Sequence, residues 1–203
     1  MKPDLVRTFR NLAFVLAASV LCWSNGTAQE RPFATQGVKE ISGSISFSSF
    51  SMVSRGETGD ASTLFSLAPQ LAYFVADGFE IGITTGITFY TLLPGFSVIT
   101  PPSGKATTMV QLFFSPAYNF HTQGDKAYPF IEPQLGYTSI STGNSSASGL
   151  SYGGRAGVKV VAAEHLLFTF FGQYLAITLN ESGATTRSGI NYLSFGVGIV
   201  GYF

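Results

Sequence analysis

Apolar and polar residues alternate with a period of two along most of the chain. In residues 150–162, LSYGGRAGVKVVA, one parity carries Leu150 and Tyr152, and the other carries Arg155 and Lys159. A strand separates such residues onto two faces, whereas a helix would scatter them. Only the seventh segment is mixed, because apolar residues occupy both of its parities. The pattern predicts eight β-strands, at about 38–53, 62–76, 79–91, 106–120, 128–140, 150–162, 165–178 and 189–203.

The connections between these segments alternate in length. Those after the second, fourth and sixth segments are short. The other four are longer and rich in Gly, Ser, Thr and Pro, at 54–62, 92–105, 141–149 and 180–189. Short turns at one end and long loops at the other are typical of up-and-down barrels in outer membranes, whose long loops are external. An even number of strands then predicts that both termini are periplasmic.

Residues 1–28 have the three parts of a secretory signal peptide. Three basic residues precede a short apolar stretch, and the small residues Gly26 and Ala28 have the spacing for cleavage after Ala28. The apolar stretch is shorter than the roughly 20 residues that a transmembrane helix needs. Lipid attachment at Cys22 is the alternative, although a bulky residue precedes it. We therefore predict that residues 1–28 are removed and that 29–203 form one barrel domain.

The composition favours a membrane protein that crosses the bilayer with strands. Charged residues make up 11% of the chain, against about 25% in soluble domains. No apolar run beyond the signal segment is long enough for a spanning helix, and a closed barrel also satisfies every backbone group in lipid. The 11 basic and 11 acidic residues balance, so no nucleic-acid partner is expected. The predicted fold class is an eight-stranded antiparallel transmembrane up-and-down β-barrel; a soluble ligand-binding barrel would instead carry its apolar parity inside.

The signal peptide, the eight alternating segments, the turn in YFVADGFEIG (73–82) and the terminal GYF resemble the outer-membrane β-barrel domain family. These are small eight-stranded barrels of the OmpA and OmpX type, and the resemblance covers residues 29–203. It implies an integral protein of the Gram-negative outer membrane, surrounded by outer-membrane lipid. It also implies that Phe203 is the signal read by the barrel-assembly machinery. The third residue from the end, commonly aromatic in this family, is Gly201 here.

The few charged residues within the strands fall on the small and polar parity. Placing them inside avoids the cost of roughly 2–4 kcal/mol for Arg or Lys on the lipid face. An eight-stranded barrel has an interior that side chains can fill. An ion path or gate, and a catalytic acid–base set, are the alternative interpretations. We predict a structural ion-pair network in the lumen, formed by Glu40, Glu80, Glu132, Arg155 and Lys159.

Motifs for catalysis or metal binding are weak. GLSYG at 149–153 matches G-x-S-x-G, but that motif is meaningful only as a strand–turn–helix, and Ser151 enters a predicted strand. His121 and His165 lie apart near short turns, and no Cys follows Cys22, so neither a triad nor a zinc site is indicated. We predict no enzyme activity, no catalytic residue, no cofactor and no metal.

Aromatic residues concentrate near the strand ends, where two interfacial girdles are predicted. One girdle contains Tyr73, Phe79, Tyr118, Phe120, Tyr128, Phe130 and Tyr202, and the other contains Phe47, Phe65, Phe89, Tyr137, Tyr152 and Tyr192.

Two functions are compatible with this pattern. The first is a structural scaffold that displays four external loops to an extracellular ligand, with Phe96, Val98 and Ile99 of the loop 92–105 as the expected contact. The alternative is a small porin-like channel for ions or small solutes. A hydrolase of the outer membrane is less favoured than either.

Overall fold

In the part of the chain that the structure describes, eight strands pair in chain order, each antiparallel to the next, and β8 pairs back with β1 to close a barrel. The computed structural model describes residues 32–54, 57–89, 107–142, 145–179 and 188–203. The predicted all-β, eight-stranded antiparallel barrel is therefore confirmed. The strands are β1 (Lys39–Ser54), β2 (Glu57–Ala76), β3 (Phe79–Phe89), β4 (Thr107–Asn119), β5 (Ala127–Thr142), β6 (Ser145–Ala163), β7 (Leu166–Leu179) and β8 (Ser188–Tyr202).

Some sequence-based predictions fall outside the described residues. These are the signal peptide at 1–28, the loop 92–105 with Phe96, Val98 and Ile99, most of the loop 180–189, and the side chain of the predicted girdle residue Phe89. No helix in the part of the chain that the structure describes is long and apolar enough to cross a membrane.

The strands extend further at the long-loop end than the alternation predicted. β1 ends at Ser54 and β2 begins at Glu57, and β5 and β6 are separated only by 143–144. The predictions of long loops at 54–62 and 141–149 are therefore wrong, because most of these residues belong to paired strands. Ser, Thr and Gly interrupt the apolar alternation there. The backbone hydrogen bonds between strands can still form, because they do not depend on a particular side chain.

Bulky apolar side chains face outward and polar side chains face inward. Ile83 and Phe195 are 57% and 67% exposed, whereas Thr138, Ser151 and Ser194 are buried in the lumen. A soluble ligand-binding barrel has the opposite arrangement, so that alternative is excluded. The outer surface suits lipid, where a closed barrel leaves no unpaired edge.

The mixed pattern of β7 has a simple cause. Its inward face is itself apolar near both ends, because Leu167, Leu175 and Ile177 are buried. Phe168 and Phe170 occupy the outward face between them. Because both parities are apolar, periodicity does not define the register of β7. Its pairing with β6 and β8 does.

Part of the predicted aromatic girdles is wrong. Tyr128, Phe130 and Tyr192 are buried inside the barrel rather than placed at an interface. Tyr202, another predicted girdle residue, is half-buried and packs against the buried ring of Phe33. Tyr128 and Phe130 share the inward parity of Glu132 on β5. Their position near a strand end therefore did not determine which face of the sheet they occupy. The outward aromatic residues whose side chains the structure describes include Phe47, Tyr73, Phe79, Tyr118, Phe120, Tyr137 and Tyr152.

The barrel closes at the last residue of the chain. The backbone N–H of Lys39 donates to the carbonyl oxygen of Phe203 at 2.9 Å, and the N–H of Phe203 donates to the carbonyl of Lys39 at 3.1 Å. The Phe203 ring is exposed on the outer surface, with the Nζ of Lys39 at 5.9 Å from its centroid. The final strand is therefore paired along its whole length.

Candidate functional site

Three charged side chains from three strands meet in the lumen near the short-turn end. The Nζ of Lys159 on β6 donates to Oε2 of Glu40 on β1 at 2.5 Å and to Oε1 of Glu80 on β3 at 2.9 Å. All three side chains are buried. Neither β1 nor β3 neighbours β6 in the sheet, so these ion pairs cross the lumen. We call Lys159, Glu40 and Glu80 the lysine cluster.

A second charged group lies further along the lumen. Glu132 and Arg155 are cross-strand partners on β5 and β6, and Nη2 of Arg155 lies 2.7 Å from Oε2 of Glu132. The same Nη2 donates to Oε1 of Gln70, and Nε2 of Gln134 donates to Oε1 of Glu132 at 2.9 Å. Both oxygens of the buried carboxylate therefore have donors. We call Arg155, Glu132, Gln70 and Gln134 the arginine cluster.

Glutamine side chains extend the arginine cluster across the barrel. Nε2 of Gln173 donates to Oε1 of Gln134 at 2.6 Å, and Oγ of Ser194 donates to Oε1 of Gln173 at 3.0 Å. The result is a hydrogen-bonded chain from β8 to β2. Sequence analysis did not select Gln70 or Gln173, because it considered only charged residues. The inward parity of Gln70 was an available signal.

The structure places all five predicted charged residues in the lumen, but as two groups rather than one network. Glu132 belongs with Arg155, since the β5–β6 register sets them side by side. Lys159, four residues along β6, instead reaches Glu40 and Glu80. Strand position alone did not distinguish these partners.

An aromatic side chain closes the lumen below the lysine cluster. Phe33, which precedes β1, is only 1% exposed. Its ring makes edge-to-face contacts with Phe74, Tyr128 and Tyr202, at centroid distances of 5.2, 4.9 and 5.3 Å. The Nζ of Lys159 lies 5.0 Å from the Phe33 centroid, within the range of a cation–π interaction. We call Phe33 and these three rings the aromatic plug.

The segment that carries Phe33 is held by the turn between β2 and β3. The backbone N–H of Gly78 donates to the carbonyl of Ala34, and the N–H of Gln36 donates to Oδ1 of Asp77, both at 2.8 Å. Ala34 adopts a φ of 64°, in the left-handed region that non-glycine residues rarely occupy. Sequence analysis assigned nothing to residues 32–37, because so short a segment has no periodicity to detect.

Hydroxyl groups and then apolar side chains fill the lumen toward the long-loop end. The hydroxyl of Tyr192 lies 2.5 Å from Oγ of Ser48 and 2.6 Å from Oγ of Ser66, which in turn lies 2.8 Å from Oγ1 of Thr88. Beyond this tyrosine cluster, the buried side chains are Met109, Phe113, Leu175, Ile177 and Ile190.

The space left between the arginine and tyrosine clusters is small. A cavity of about 20 Å³ is bordered by Arg155, Tyr192 and several hydroxyl side chains. A water molecule needs roughly 10–15 Å³ of such space. This cavity therefore has room for about one water molecule and not for a hydrated ion.

The motif serine lies within β6, with its side chain inside the barrel. Ser151 is buried, and its Oγ lies 2.5 Å from Oγ1 of Thr138. Within the described ranges, no group of three or more His, Cys, Asp or Glu side chains could hold a metal ion. The arrangement can hold the lumen shut through mutual ion pairs and hydrogen bonds.

Comparison with known proteins identifies the architecture. Neither a protein-family model nor a curated protein matches this chain. Among solved structures, the crystal structure of Neisserial surface protein A (NspA) matches with a TM-score of 0.64 and 14% identity, over 83% of this chain and all of that one. The fold is that of the small eight-stranded outer-membrane β-barrels. The solid-state NMR structure of outer membrane protein AlkL in DMPC bilayers also matches, with a TM-score of 0.54 and 13% identity, over 89% of this chain and 96% of that one.

Proposed function

We propose that this chain is an integral protein of the Gram-negative outer membrane that serves as a closed scaffold. In this proposal the short-turn end, with both termini, faces the periplasm, and the long-loop end presents a binding surface to an extracellular partner. The outward apolar surface and the likeness in fold to outer-membrane barrels support the location. The proposed role is interaction rather than transport or catalysis.

The observation that best supports this proposal is that side chains fill the lumen in successive layers. Phe33 closes the short-turn end, Lys159 forms ion pairs across the interior, Arg155 pairs with Glu132 on the neighbouring strand, and Tyr192 links β8 to β1 and β2. Removing one member of such a buried pair would leave a charge without a partner, at a cost of about 3–5 kcal/mol. A closed interior of this kind favours a scaffold over an open pore.

A rigid barrel with connections on one rim is suited to recognition. Binding residues are found disproportionately on loops that a rigid scaffold positions. β1, β2, β5 and β6 are long strands, of 16 to 20 residues. The proposed partner surface is this rim together with the connection 92–105.

The first test is conductance in a planar lipid bilayer. Refolded residues 29–203 are compared with the same chain carrying Glu132→Gln and Lys159→Met, which weakens both ion-pair groups. We expect no discrete steps from the wild type under conditions in which a known porin conducts. Reproducible wild-type steps that change size in the double variant would favour the small channel instead.

Orientation requires a separate test on intact cells. The chain has a single Cys, Cys22, within the predicted signal peptide, so an introduced cysteine would be unique in the mature protein. Ser97→Cys in the long connection should react with a membrane-impermeant maleimide on intact cells. Lys126→Cys in a short turn should react only after the outer membrane is permeabilised. Reversed labelling would contradict the proposed orientation.

A further inference from the structure

The two charged groups of the lumen differ in their charge balance. The arginine cluster contains one carboxylate and one guanidinium, so it is neutral. The lysine cluster contains two carboxyl groups and one ammonium. If both carboxyl groups were ionised, it would carry a net charge of −1. All three side chains are buried, and an uncompensated buried charge is strongly unfavourable.

The two carboxyl groups lie next to each other. Oε2 of Glu40 and Oε1 of Glu80 bind the same Nζ of Lys159, at 2.5 and 2.9 Å, so they cannot be further apart than the sum of those distances. Two carboxylates that share a buried site repel each other, which favours retention of a proton by one of them. The single ammonium compensates only one of the two charges.

Four buried polar atoms of Glu40, Glu80 and Asn119 have no hydrogen-bond partner. Oε1 of Glu40 and Oε2 of Glu80 are buried without a partner. Asn119 is buried with neither its Oδ1 nor its Nδ2 bonded, two residues along β4 from Ala117, the cross-strand partner of Glu80. These four atoms lie in a cluster where two carboxyl groups have one ammonium between them. A proton on either carboxyl group would turn one of its oxygens into a donor for a neighbouring acceptor.

We propose that the lysine cluster is a proton-binding site in which Glu40 and Glu80 together hold one proton. The cluster is then neutral, and the carboxyl O–H can donate to a neighbouring unpaired acceptor. A small cation would also balance the charge, but the ammonium of Lys159 already lies between the two carboxyl groups. This inference rests on the geometry of the cluster and is independent of the proposed scaffold function.

The other groups that face the lysine cluster do not change its charge balance. The only other charged side chains described inside the lumen, Glu132 and Arg155, are paired with each other. Tyrosine is neutral near pH 7. The histidines sit at the rim, in contact with the tyrosines. The remaining facing side chains are Phe33 from the N-terminal segment, Gln70 and Phe74 from β2, Asn119 from β4, Tyr128 and Phe130 from β5, Leu167 and Thr169 from β7, and Val200 and Tyr202 from β8.

The test is the pH dependence of unfolding in lipid vesicles, from about pH 7.5 to about pH 9. Unfolded carboxyl groups are ionised throughout this range, so unfolding would release the bound proton. While the native cluster holds its proton, the native state binds one proton more than the unfolded state. The unfolding equilibrium constant should then rise with pH, by up to about tenfold per pH unit, until the native cluster loses that proton. Glu40→Gln makes the cluster neutral without the proton, so the slope should be lost.

Matched controls keep the interpretation specific. Glu164→Gln alters a carboxyl group whose side chain is 77% exposed and should retain the wild-type slope. If Glu40→Gln does not fold, Glu80→Gln serves the same purpose, and infrared spectroscopy of the folded wild type provides an independent readout. A band from a protonated carboxyl group at about pH 8, absent in either variant, would support the proposal. A wild type without the slope and without the band would overturn it, as would stability that depends on sodium concentration rather than on pH.

Discussion

Glu132 on β5 and Arg155 on β6 lie directly opposite each other, and their side chains form a 2.7 Å ion pair inside the barrel. A shift of the β5–β6 register by one residue would send one strand's side chains to the opposite face. The pair would be broken, and one charge would meet lipid. The ion pair therefore selects the register that closes the barrel, besides filling its interior.

Glu132→Gln should destabilise the barrel strongly. The substitution removes the charge that compensates Arg155 while the guanidinium remains buried, at an expected cost of about 3–5 kcal/mol. Urea-induced unfolding of the refolded protein in lipid vesicles measures the difference.

The matched control is Glu132→Gln combined with Arg155→Met. With both charges removed, much of the lost stability should return, because no charge is left unpaired. Equal losses in the single and double variants would mean that the charge pair itself contributes little.

Phe33→Ala should loosen the short-turn end of the lumen. Truncating a buried Phe typically costs about 3–5 kcal/mol, because it loses apolar burial and leaves a cavity. The unfolding midpoint in urea should fall accordingly. Phe195→Ala is the control: its side chain is on the outer surface, so lipid can fill the vacated space and the loss should be smaller. A midpoint unchanged by Phe33→Ala would argue against a closing role for the aromatic plug.

Neighbouring residues of β4 offer a test of which face meets lipid. Phe113 is buried in the lumen, and Phe114 is on the outer surface. The only Trp of the chain, Trp23, lies in the predicted signal peptide, so an introduced Trp is a single probe. Brominated lipids should strongly quench the fluorescence of Phe114→Trp and weakly that of Phe113→Trp. Similar quenching of both would contradict the assignment of the faces.

Removal of Phe203 tests the predicted assembly signal. In cells, the shortened chain should accumulate unassembled, because the resemblance implies that the assembly machinery reads this residue. Refolding of the purified chain into vesicles, where no machinery is present, should change much less. The two yields can be compared by the different migration of folded and unfolded barrels on gels. A parallel loss in both assays would assign Phe203 a purely structural role, through its pairing with Lys39.

The alternation of residues was sufficient to predict the barrel and the direction of its charged side chains. Arg155 and Lys159 share a parity with small residues, and lipid is so unfavourable for charge that this parity had to face inward. Local alternation was insufficient where residues of both parities were apolar, as in β7, or where Ser and Gly obscured the pattern, as at 141–149. Signal cleavage and recognition of Phe203 stay predictions.

The tertiary structure alone decided which charges meet. Glu132 pairs with Arg155 through a cross-strand register that periodicity leaves open, and Lys159 reaches Glu40 and Glu80 only because barrel closure brings distant strands to face each other across the lumen. Phe33 has no periodic neighbours, and its burial depends on the turn that holds its segment. Side-chain direction is a local property of a strand, so the sequence determined it wherever only one parity was apolar. Partner choice across a closed interior depends on residues far apart in the chain, so it required the fold.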